Sequence, residues 1–244
     1  MSILTLQKLD KQFGGVKAID GVSLDIQAGS LVSLIGPNGS GKSTLVNLLT
    51  GVHRPTSGLI RIGRTKAQAA IKPFELPVLG LTRTFQEVRV FEQMTVLDNL
   101  LVVLAPRSVF KALFRLRRSL DIAKAEAVLK RVGLWEKRQA LASKLSYGQR
   151  KLLEIARALL MDADVYLFDE PFAGLFPEMI KIIVGIIKEL HATGKTILLI
   201  EHNMALIREL SERVIVLDAG KLLADGVPEE VLSRKDVIEA YLGE

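Results

Sequence analysis

The 244-residue chain carries a formal net charge of +6, and 49 % of its residues are hydrophobic. That suits one large domain, or one core with an inserted subdomain, and the absence of cysteine excludes a disulfide framework, a thiolate metal site and a cysteine nucleophile. No apolar run approaches the roughly 18 residues needed to cross a bilayer, and Met1 to Lys8 show no n-region or cleavage site of a signal peptide, so the chain is expected to be made and kept in the cytoplasm.

Ile3 to Leu9 alternates apolar and polar residues and predicts a strand; Phe13-Gly14-Gly15 predicts a turn, and Val22 to Ile26 a second alternating strand. The Phe13 ring is either core or positioned to stack on a base, a contact that recognises the π-face without reading the base edge. Leu31 to Ile35 is a short apolar run. It leads into Gly36-Pro37-Asn38-Gly39-Ser40-Gly41-Lys42-Ser43-Thr44 and then Leu45 to Leu49. Strand, glycine-rich loop and helix are the context that turns a G-x-x-x-x-G-K-[ST] match into a phosphate site. Glycines let successive N–H groups point inward, and the helix N-terminus adds partial positive charge. Lys42 can reach the β- and γ-phosphates, and the Ser43 hydroxyl can hold Mg²⁺. These residues predict that the chain binds a nucleoside triphosphate.

Leu59 to Ile62 predicts another strand, and residues 64 to 81 a loop with a short helix. Arg83-Thr84-Phe85-Gln86 is expected to end a strand on a glutamine, which in a phosphate-loop fold can reach the metal or the attacking water. From about Val88 to Met161 the pattern predicts helix. Ile122, Ala125, Val128, Leu129 and Val132 form one apolar stripe, and Trp135 is expected in the core. The basic run Lys111 to Arg118 fits a solvated helix face, contact with anionic lipid headgroups, or nucleic acid. Leu145-Ser146-Tyr147-Gly148-Gln149 precedes a strong helix, Arg150 to Leu160; a second helix N-terminus introduced by serine and glycine can bind an anion or be a plain cap.

Val165 to Phe168 predicts an apolar strand that delivers Asp169 and Glu170 at its C-terminal end, where ligands gather in open α/β sheets. An aspartate there can order a Mg²⁺ shell, and the adjacent glutamate can polarise a water for attack on the γ-phosphate. Pro177 opens a long amphipathic helix. Thr196 to Ile200 is a buried strand that releases Glu201-His202-Asn203, with His202 poised to touch a γ-phosphate. A hairpin, Val214 to Leu222, and two short helices from Pro228 and Lys235 finish the chain.

Together these stretches resemble the ATP-binding subunit of an ABC transporter across essentially the whole chain. Gly36 to Thr44 is similar to the Walker A motif, Gln86 to the Q-loop, Leu145 to Gln149 to the signature, Val165 to Glu170 to Walker B with its catalytic glutamate, and His202 to the switch histidine. Phe13 stands where the family places its adenine-stacking aromatic. Within the family, Arg83 to Phe91, Met94 to Leu100, LSYGQRKLLEIARAL from Leu145, Glu201 to Met204 and the closing Tyr241-Leu242-Gly243 resemble the branched-chain amino acid importers. Asp169 to Gly174 is also similar to lipopolysaccharide-export ATPases. One position departs: Phe176 stands where the family usually has aspartate or asparagine. Its ring is expected to find cover at a dimer interface or against the following helix.

The resemblance implies an α/β P-loop NTPase (RecA-like) fold: a mixed-sheet core with an antiparallel β subdomain and an inserted helical subdomain. Residues 1–86 and 162–244 would form the core, and 87–161 the helical subdomain carrying the signature. It implies ATP and Mg²⁺, with Glu170, His202, Gln86 and Lys42 catalytic and with Ser43, Gln86 and Asp169 around the metal. Phe13, Gly36 to Thr44, Ser146, Gly148 and Gln149 would bind nucleotide. Two ATPase subunits, identical or paralogous, would pair head to tail, each ATP lying between Walker A of one and the signature of the other. They would serve an integral membrane permease from the cytoplasmic face of the inner membrane, with no nucleic acid partner. Lipid export, or a soluble ATPase without a membrane partner, are the alternatives.

Overall fold

The computed structural model describes residues 1–105 and 118–242. The basic run from Lys111 lies outside the described residues except for its last member, Arg118, and so does Gly243. The chain divides into two compact units. One comprises residues 1–83, 163–170 and 186–244; the other comprises 84–162 and 171–185.

The first unit opens on an antiparallel hairpin, β1 (Ser2–Phe13) and β2 (Val16–Gln27). Both strands outrun their alternating stretches, because pairing continues through register shifts as far as Phe13 opposite Val16. Two glycines make the turn, Gly14 taking a left-handed φ of +55°. After β3 (Leu31–Ile35) and α1 (Lys42–Leu49), β4 (Ser57–Ile62) pairs with β1 to give a three-stranded sheet of order β2-β1-β4.

A six-stranded sheet uses β3 with β5 (Leu81–Arg83), β6 (Val165–Asp169), β7 (Thr196–Ile200), β8 (Arg213–Asp218) and β9 (Lys221–Gly226) in the order β5-β6-β7-β3-β8-β9. Its strands are parallel except β9, which returns against β8 as a hairpin. Every residue of β3, β6 and β7 is buried. Continuous apolar runs are what a parallel sheet covered on both faces requires.

Alternation along the strands sorts side chains into two cores. Ile215 and Leu217 join Leu34, Leu167, Leu198 and the apolar side of α1 in a cluster shared with the antiparallel sheet. Val214 and Val216 point the other way, to Ile35, Ile207, Val231 and Val237. The C-terminal helices flank that second cluster.

The second unit holds α2 (Val96–Leu104), α3 (Arg118–Arg131) and α4 (Tyr147–Leu160). Three expectations need correction. Strand β5 ends at Arg83, so Gln86 lies three residues beyond it in an exposed bend. Residues 88 to 95 are not helical; the helix waits for Thr95, whose side chain accepts from the Asp98 N–H as an N-cap. Trp135 is only half-buried, with the Arg138 guanidinium 4.5 Å from its ring centroid. α5 (Pro177–Ala192) bridges the division in sequence. α6 (Met204–Leu210), α7 (Pro228–Val231) and α8 (Lys235–Leu242) complete the chain. Among the described residues no helix is long and apolar enough to cross a membrane.

Candidate active site

The apolar run of β3 stops at Ile35 and the main chain turns at Gly36. A Cβ on Gly36 (φ +149°) would collide with Leu217 O and lie 2.6 Å from Ser40 Oγ. Gly41, at φ +103°, caps α1, and a Cβ there would lie 2.5 Å from Ala18 O. These two positions need glycine for close backbone approach as well as for conformation. Lys42 opens α1, yet its side chain folds back over the loop: Nζ donates to Gly36 O at 2.8 Å and to Pro37 O at 2.9 Å. Burial lowers its pKa, while the charges of Glu170 and Asp169 act in the opposite direction. Ser40 is buried; Asn38, Gly39 and Ser43 are exposed, with Pro37 and Thr44 between. The Gly220 N–H donates to Ser40 O at 3.0 Å, so the β8–β9 turn also holds the loop.

Asp169 is the last residue of β6. Its Oδ2 lies 2.7 Å from Arg83 Nη2, and the two side chains are only 6 % and 8 % exposed. Arg83 also donates to Asn47 Oδ1 at 2.8 Å and Thr50 Oγ1 at 3.0 Å, so one guanidinium ties β5, β6 and α1 together. Sequence reasoning missed this role. Arg83 stands opposite Leu167 in the parallel β5–β6 ladder, and sequence does not reveal which strands are neighbours.

Glu170 follows in the left-handed region at φ +46°, a conformation that costs a non-glycine residue about 1–2 kcal/mol. Its N–H donates to Ile200 O at 3.0 Å, which fixes it at the end of β7. Its Oε1 lies 3.3 Å from His202 Nε2. The turn that presents His202 is organised by Glu201, a buried carboxylate that accepts the N–H groups of His202 (2.8 Å) and Asn203 (3.0 Å). In the sequence Glu201 shows only as a neighbour of His202. The first unit therefore contains the loop from Gly36 to Thr44, Asp169, Glu170, His202 and Phe13. Phe13 is 43 % exposed, edge-on to His53 at 5.2 Å between ring centroids, which settles against a core role.

Gln86, Ser146, Gly148 and Gln149 belong to the second unit. Helix α4 starts at Tyr147, three residues before the expected Arg150, because Ser146 and Gln149 form a capping box: Ser146 Oγ accepts the Gln149 N–H at 3.3 Å and Gln149 Oε1 accepts the Ser146 N–H at 3.2 Å. At Gly148 a Cβ would meet Met179 Sδ, the end of a flexible side chain, and lie 3.2 Å from Leu175 Cδ2. One face of α4 also grips the segment around Gln86. Lys151 Nζ donates to Phe85 O at 2.8 Å and Gln86 O at 3.1 Å, and Glu154 Oε1 accepts the N–H groups of Phe85 and Arg89 at 3.2 Å. Burial raises the pKa of Glu154. Phe176 is 72 % exposed, so the following helix does not cover its ring.

Among the described residues no group of three or more histidines and carboxylates could hold a metal unaided. The hard oxygen donors Ser43 Oγ and Asp169 instead fit Mg²⁺, which keeps several waters and takes other ligands from substrate phosphates.

The pattern of the family described as ABC transporter matches residues 19–173, and that of the branched-chain amino acid ATP-binding cassette transporters matches residues 221–244. The high-affinity branched-chain amino acid transport ATP-binding protein LivG of Salmonella typhimurium is 42 % identical, over 99 % of this chain and 98 % of that protein. The crystal structure of the ADP conformation of MJ1267, an ATP-binding cassette of an ABC transporter, superposes with a TM-score of 0.85 at 36 % identity, covering 100 % of both chains. A dimeric post-hydrolysis structure of the cassette MJ0796 with ADP and Pi gives 0.79 at 26 % identity, over 92 % of this chain and 98 % of that one.

Proposed function

The chain belongs to the ABC transporter ATP-binding family, and from that premise we infer that it hydrolyses ATP to energise uptake of branched-chain amino acids through a separate membrane permease. It works with a second ATPase subunit and with the permease subunits. We assign it to the cytoplasmic face of the cell membrane, bound there through the permease. We assign residues 1–86 and 162–244 to a catalytic core and 87–161 to a subdomain presenting the signature.

In this reading the N–H groups from Gly39 to Thr44 and the start of α1 receive the phosphates, and Lys42 neutralises charge on the β- and γ-groups. The Phe13 ring stacks on adenine. Ser43 and Asp169 would hold Mg²⁺, which when bound would neutralise charge on the phosphates. Glu170 takes the proton of the attacking water, and His202 both orients that carboxylate and donates toward the γ-phosphate. Ser146, Gly148 N–H and Gln149 meet the ATP held by the partner subunit, so one chain alone supplies half of each site.

The observation that best supports this reading is Glu170. A strained backbone at a strand's end is kept where it costs stability because it aims a side chain, and here it aims a carboxylate at His202 in the unit that holds Lys42. The test reconstitutes the chain with its co-purifying permease in vesicles. Uptake of labelled leucine should require ATP and this chain, and specific ATPase activity should rise with protein concentration. Constant activity from a strictly monomeric sample, or uptake without the chain, would sink it.

A further inference from the structure

We infer that the Tyr241 hydroxyl is a positioning group for nucleotide binding, acting on Lys42 through the first residue of the phosphate loop; this rests on reading residues 36–44 as the phosphate site. Tyr241 lies on α8, near the C-terminus and far in sequence from every nucleotide motif. Its ring is half-buried against the cluster that contains Ile35, Val216 and Val237. Its hydroxyl oxygen accepts the Gly36 N–H at 2.7 Å.

That N–H stands at a break in the sheet. The ladder of β3 runs to Leu34 opposite Ile200 on one side and to Ile35 opposite Val216 on the other. Beyond Ile35 the main chain leaves the sheet, and a buried N–H there needs another acceptor. Tyr241 supplies it from a ring packed against the second cluster. The other groups of Gly36 are held too. Its carbonyl accepts from Lys42 Nζ at 2.8 Å, and its Cα faces Leu217 O too closely to admit a Cβ. Gly36 is thus fixed at N–H, Cα and C=O, and the C-terminal helix makes the first of these contacts. Burial of the hydroxyl pushes its pKa up to about 12, so it stays protonated throughout the physiological range.

A loop pre-set for phosphate binds it with less ordering cost, and that advantage is uniform along the reaction. Removing the hydroxyl should therefore raise KM and leave kcat unchanged. Tyr241→Phe keeps the ring and deletes only the acceptor. With the full-length chain, Mg²⁺ and a fluorescent N-methylanthraniloyl-ATP probe, Kd and the KM for ATP should each rise about three- to tenfold, the range of one neutral hydrogen bond. The control is Val237→Ala, which loosens α8 in the same cluster without touching the hydroxyl. It should lower the melting temperature and leave Kd unchanged. An unchanged Kd in Tyr241→Phe overturns the inference, as does an equal rise in Val237→Ala at a matched loss of melting temperature. Lys42→Ala separates the premise: if it binds the probe as wild type does, the phosphate site is misassigned and the inference falls with it, whereas loss of binding there with no effect of Tyr241→Phe condemns the tyrosine alone.

Discussion

Replacing Arg83 with methionine keeps much of the side-chain volume and deletes the guanidinium. In the folded chain this leaves the Asp169 carboxylate, 6 % exposed, without its 2.7 Å ion pair, and removes the donor to Asn47 and Thr50. Breaking a buried pair from one side costs about 3–5 kcal/mol, because the remaining charge stays desolvated. For a chain of this size that corresponds to a fall in melting temperature of about 6–20 °C. The assay is urea unfolding of a double-mutant cycle with Asp169→Asn. The double variant removes both members of the ion pair, so it should be more stable than the two single losses predict, by about 0.5–3 kcal/mol. A loss below about 1 kcal/mol in Arg83→Met, or strictly additive losses, would refute the ion pair as the tie between β5, β6 and α1.

Phe13→Ala should cost about 1–3 kcal/mol of nucleotide affinity if the ring stacks on the base. It should barely alter the melting temperature, because the ring is exposed; the reverse pattern would make Phe13 structural. Gly148→Ala brings a methyl group against Met179 Sδ, the end of a flexible side chain that can shift, and should change urea stability by less than about 1 kcal/mol, whereas a larger loss would mean that Met179 cannot yield. The folded state holds the Tyr241 proton more tightly than the unfolded state does. The stability advantage of wild type over Tyr241→Phe should therefore be full below pH 10 and shrink as pH rises through about 12. Thermal melts across that window that stay parallel would contradict it.

The turn from Gly36 to Thr44 was legible in sequence because its glycines and Lys42 follow local geometry: strand, turn and helix follow one another without a gap. The positions of Asp169, Glu170 and His202 were legible for the same reason, the first at the end of an apolar strand and the other two just past one. Arg83 and Tyr241 were not. Their roles depend on which strand lies beside β6 and on where the last helix returns, which are properties of the sheet order and of the long-range packing. Gln86 was misplaced because the strand before it is only three residues long, and the main chain that follows is held by Lys151 and Glu154, charged side chains from a helix more than sixty residues later. Periodicity also extended the helical region too far toward Val88, where apolar residues line a loop.

The direct test of the central claim is Glu170→Gln, which keeps the side chain's shape and removes the base. Nucleotide binding, hydrolysis and size on chromatography are measured on one preparation in ATP and Mg²⁺. Binding should persist, hydrolysis should fall by about 10²–10⁴, and an ATP-bound dimer should accumulate. Wild-type turnover in this variant, or loss of ATP binding with the fold intact, would contradict Glu170 as the group that activates water.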